Sequence, residues 1–182
     1  MSALRVVAQA TLSERKERGM SLSSLCQAIE LWPFSQAFAV DIFWIPAVET
    51  THLVALALLV GSITTFDARL LGLGMRHVPV SRLGKRLLPW TWAAFSLNLA
   101  TGALLFTKTA ESLYCFNSAF RIKMLLILLA GVNMAVFHLT VYRSVSKWDN
   151  SHPTPLQAKL AGSFSILLWL CVVIAARWIP FV

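Results

Sequence analysis

The sequence predicts an all-α integral membrane protein, a four-helix bundle preceded by an amphipathic helix lying in the membrane interface. Two observations carry this. Hydrophobic residues make up 57% of the 182-residue chain and charged residues only 13%, with a mean hydropathy of +0.68, a composition that belongs to the membrane class. Four segments, at about 46–66, 87–107, 124–142 and 160–178, are long and apolar enough to cross a bilayer. Each must be a helix, because lipid offers no partner for a backbone amide, and no segment has the period-two alternation of a membrane barrel.

Residues 1–19 lack the apolar core of a signal peptide and read as disordered or as lying before a start at Met20. Leu22, Leu25, Cys26 and Ile29 then fall at helical spacing, with Ser23, Ser24, Gln27 and Glu30 on the other face, the pattern of a short interfacial helix that Pro33 ends. Phe34 to Trp44 is apolar but short and carries Asp41, so the region 20–45 is expected to finish in a re-entrant or outer-surface element. The bundle follows over 46–182. Its first span holds only Glu49 and His52 as ionisable groups, its second none, its third only His138, and its fourth none before Arg177, which can snorkel. Trp44 and Trp178 mark one boundary and Trp90, Trp92 and Trp148 the other, while Trp169 lies deep. Ala57/Gly61, Ser96/Ala100, Gly131/Ala135 and Ala161/Ser165 are small pairs through which helix backbones could approach. Between the first two spans, Gly72, Gly74 and Pro79 signal a turn, and Val80-Ser81-Arg82-Leu83 a short cap before Pro89.

The net charge of +8 does not indicate nucleic acid, since the basic residues cluster beside apolar spans rather than along a recognition helix. They read as topology signals. Arg69, Arg76, Arg82, Lys85, Arg86, Arg143, Lys147 and Lys159 flank one side of the bundle, eight in all, against four on the other, Lys108, Arg121, Lys123 and Arg177. The positive-inside rule therefore places loops 67–86 and 143–159 in the cytoplasm, and loop 108–123 with the C-terminus in the periplasm of a bacterial inner membrane. On that assignment Cys26 and Cys115 share the oxidising side, where a disulfide and two free thiols are both open; Cys171 is buried in the fourth span.

Ionisable groups inside a span are costly enough to be functional leads. Glu49 and His52, one turn apart, form with Asn98, Arg121 and Arg177 an expected polar cluster in the outer leaflet. At the inner boundary Asp67, Arg69 and Arg143 are candidates for an ion-paired latch. A haem b is the cofactor alternative, because membrane cytochromes hold iron between helix-borne histidines. His52 and His138 differ in depth by about 15 Å, too far for one iron, which leaves His52 and Met124 as the ligand pair. A polar path from Glu49 and His52 through Asn98, Thr101 and Asn133 toward His138 would suit a small proton-coupled transporter. No phosphate-binding motif, no Cys-x-x-Cys and no second Glu-x-x-His within a span is present, so no catalytic residue and no metal site is assigned.

Glu49-Thr50-Thr51-His52, Gly61-Ser62, Asp67-Ala68-Arg69-Leu70-Leu71-Gly72, Leu88-Pro89-Trp90-Thr91-Trp92, Thr101-Gly102, Phe120-Arg121-Ile122-Lys123, Asn133, Phe137-His138, Trp148-Asp149, Lys159-Leu160-Ala161-Gly162 and Arg177-Trp178-Ile179 are specific as a set. Through them the chain from Met20 onward resembles an uncharacterised family of bacterial multi-pass membrane proteins, domain of unknown function 6644. The resemblance implies a four-helix inner-membrane protein and supplies no catalytic residues. The expectation is a non-enzymatic accessory or structural subunit whose partners are the bilayer and other membrane subunits or copies of itself.

Overall fold

The computed structural model describes residues 24–40, 42–149 and 154–182, and every element in it is helical. The expected start at Met20, Leu22, Asp41 and His152 lie outside the described residues. We label the helices α1 (24–30), α2 (Pro33–Val40), α3 (Trp44–Leu71), α4 (Val80–Lys108), α5 (Ser118–Leu139) and α6 (Leu156–Trp178). A π-helical turn, Ala110–Tyr114, joins α4 to α5, and short 3-10 turns, Tyr142–Lys147 and Ile179–Phe181, follow α5 and α6.

Local chemistry sets the ends of these helices. Pro33 opens α2 at a position where no amide donor is needed, and Ser35 and Gln36 donate to the carbonyls of Ile29 and Glu30, satisfying the end of α1 at 2.8 Å each. Gly72 takes a left-handed φ of 76°, and the amides of Gly72 and Leu73 return to the Arg69 and Ala68 carbonyls, which closes α3 as a Schellman turn. Asn117 caps α5 by accepting from the Phe120 amide at 2.9 Å. The α4 helix begins at Val80 and runs unbroken through Pro89, so the segment before that proline is the helix's own first turns and not a separate cap. Asp149 holds that start by accepting from both the amide and the hydroxyl of Ser81, a negative charge placed at a helix N-terminus.

The packing order is α4–α3–α6–α5. The closest pairs are α3 with α4, α5 with α6, and α3 with α6, whereas the backbones of α4 and α5 scarcely approach among the described residues and these helices meet through side chains such as the stacked Phe106 and Phe120. Gly162 lets α6 approach the backbone of α3: a Cβ there would meet the Asp67 carbonyl oxygen at 3.4 Å. Ala57/Gly61 and Ser96/Ala100 face outward, Gly131/Ala135 is exposed with Gly131 at a cavity described below, and only Ala161/Ser165 turns inward; close approach is made instead by Ala55, Gly84, Ala94, Ala130, Ala158 and Gly162. A small pair shows where backbones can approach, but packing decides which face is used.

Among the described residues three helices, Trp44–Leu71, Ser118–Leu139 and Leu156–Phe181, are long and apolar enough to cross a membrane. The α4 helix has the length, at 29 residues, but Thr91, Ser96, Asn98 and Thr101 and its basic first turns make it less apolar. Helix hydroxyls are satisfied locally, as where Thr51, Ser62, Thr65 and Thr91 donate to the carbonyl four residues back. Large apolar side chains such as Leu53, Leu58, Leu128, Leu160 and Leu167 stand exposed along the helices, an arrangement suited to lipid rather than water.

Candidate functional site

At the end of the bundle that carries the start of α3, Cys26 and Cys115 are joined as a disulfide with Cα atoms 6.6 Å apart, tying α1 to the segment between α4 and α5. Below it a polar seam links α3 to α4. The Thr101 hydroxyl donates to the Leu97 carbonyl at 2.7 Å and so accepts from Nδ1–H of His52 at 2.9 Å, while Asn98 donates to the His52 carbonyl at 3.0 Å. Gly102 leaves room for the imidazole, since a Cβ there would lie 3.2 Å from its Cε1.

Of the expected outer cluster, the structure brings together His52 and Asn98, with Thr101 added. Glu49, Arg121 and Arg177 stand exposed, and Arg177 lies over the Phe181 ring at 5.5 Å. Met124, the other candidate haem ligand, is 48% exposed. Burial pushes the Tyr114 phenol above its ordinary value, the Glu49 carboxylate adds to this, and a hydrogen bond to Thr109 opposes it. Asn117, which the sequence reading missed, donates to the carbonyls of Ile179 and Val182 at 2.8 Å each and fixes the C-terminus. Its position one residue before an apolar run was the available signal.

At the opposite end, the three latch residues do not come together. Arg69, 1% exposed, donates from Nε to the Val78 carbonyl at 2.8 Å and so holds the loop after α3. Asp67 bonds to the Ser165 hydroxyl on α6, and Arg143 is exposed. Asp67 and Arg69 lie two residues apart on one helix and so face different ways, which is why they do not pair. The Asp149–Ser81 contact provides the clasp. Trp148 is buried under it rather than placed at the surface as a boundary residue.

Between this clasp and the middle of the bundle lies a cavity of about 210 Å³. It occupies the seam where the backbones of α4 and α5 stay apart, with α3 and α6 behind it. Most of its wall is apolar. Phe66, Trp92, Phe95, Phe137, Tyr142 and Trp169 contribute rings, and Gly131 opens directly onto free space, with no atom within 4 Å of where a Cβ would stand. The polar members include Asp67, Asn133 and His138. Asn133 donates to the Ala161 carbonyl at 3.1 Å. His138 must donate from Nδ1 to the Met134 carbonyl at 3.0 Å, because a carbonyl only accepts; in the neutral ring this leaves Nε2 as an acceptor. Asp67 is 5% exposed and its Oδ2 has no partner among the described residues.

The helices and the cavity between them define an all-helical protein compatible with a membrane. Its chain belongs to the family of unknown function DUF6644, whose model matches residues 42–182. The match begins at Ile42, so α1, α2 and Cys26 precede it, a shorter reach than the resemblance from Met20. No curated protein and no solved structure matches the chain.

Proposed function

We propose that this chain is a four-span protein of the bacterial inner membrane that binds a small lipid-soluble guest and does not transform it, acting as an accessory subunit. Packing of α4 along α3 supports its assignment as the fourth span despite its lower hydropathy. The basic residues support a cytoplasmic position for the clasped end, with Asp149, and the disulfide supports the same orientation because such bonds persist on the oxidising side.

The observation that carries the binding reading is the cavity. Its opening at the α4–α5 seam would face the bilayer, and its volume exceeds the roughly 150 Å³ of an apolar cavity that takes up benzene. Bromobenzene is the test, since it would quench Trp92 and Trp169 on the cavity wall. Purified protein should show a saturable quenching component that Gly131→Phe removes, with Gly131→Leu as a second filling variant. Quenching that rises without saturation, equally in wild type and both variants, would contradict the reading.

A further inference from the structure

Resting on that reading, we infer that the guest is a phenol-class molecule, a single ring carrying a hydroxyl as in a quinol headgroup, held by Asp67 and His138. Size sets the first limit. A space of about 210 Å³ holds one substituted ring, below the roughly 300–1,000 Å³ of sites for drug-sized ligands. The α4–α5 seam, where the backbones stay apart, gives a substituent on that ring an exit into lipid. The six aromatic side chains on the wall supply the edges and faces against which an aromatic guest packs.

Hydrogen bonding sets the second limit. A buried carboxyl oxygen without a partner costs about 1–3 kcal/mol, and Asp67, a residue of the cavity wall, carries one in Oδ2. An ionised Asp67 only accepts, and neutral His138 offers Nε2 as an acceptor, so both ask for a donor. A hydroxyl donates to either, and accepts in turn if Asp67 carries a proton; a bare carbonyl would serve only the protonated acid. Ser165 bonds Asp67 from the α6 side and one Asn133 N–H goes to the Ala161 carbonyl, so the guest's hydroxyl would supply the partner that Asp67 Oδ2 lacks.

The experiment compares 4-bromophenol with bromobenzene by the same tryptophan quenching, each corrected for partition into detergent. The full-length protein should bind the phenol about tenfold more tightly, as one hydrogen bond to a carboxyl would give. Asp67→Asn, which keeps the size of the side chain, should reduce that preference several-fold, and Asp67→Leu should abolish it. Equal affinity of the two probes in wild type would overturn the inference, with water serving Asp67 instead, while the cavity reading stands. Loss of saturable binding for both probes would overturn both. A preference that survives in Asp67→Leu would also overturn the assignment to this residue.

Discussion

The two halves of the bundle are built differently although the same four helices run through both. In the half with the disulfide, polar groups are used in pairs: His52 with Thr101, Asn98 with the His52 carbonyl, and Asn117 with both the α5 start and the C-terminus. Phe106, Tyr114 and Phe120 fill the same end with ring centroids 5.1–5.7 Å apart. In the clasped half, buried atoms of Asp67, Arg69 and Trp148 lack partners among the described residues, and Asp67 lines the cavity. Unpaired buried groups are expensive, so the clasped end carries a cost in polar satisfaction that the disulfide end has largely met.

The largest effect expected of breaking this contrast comes from the disulfide. Cys26→Ser with Cys115→Ser removes a covalent tie worth about 2–4 kcal/mol and should release α1 and α2 from the bundle. Limited proteolysis should then cut the 31–43 segment several-fold faster, as should reductant on the wild type; an unchanged digestion rate would show that packing alone holds these helices. A smaller effect belongs to the clasp. Asp149→Ala removes the acceptor for both Ser81 donors and should cost about 0.5–2 kcal/mol, read as a lower melting temperature. Asp149→Asn should recover part of it, because an amide oxygen still accepts but the charge at the α4 start is lost.

The helices were legible because lipid-compatible segments need long apolar runs, and all four predicted spans fall within or largely within α3, α4, α5 and α6. The third ran past its helix: 124–142 includes the turn after Leu139, since Val141 and Tyr142 are apolar in either setting. The polar residues were harder. Their depth can be counted along a helix, but their neighbours depend on the order α4–α3–α6–α5, which no local pattern encodes. Thus Asp67 was paired with nearby cations in the sequence, whereas its partner is Ser165 on α6. The cavity was illegible for a related reason. It exists where two helix backbones stay apart, and a sequence reading of small pairs looks for the opposite.

Two glycines test the contrast most directly. A side chain at Gly102 meets the His52 ring, while one at Gly131 enters open space. In guest-free protein, Gly102→Leu should lower stability by about 1–3 kcal/mol through overpacking, and Gly131→Leu should match or exceed Gly131→Ala, the control for helix propensity. Melting temperatures that fall alike for Gly102→Leu and Gly131→Leu would show that the clasped half is packed as tightly as the other and would contradict the account.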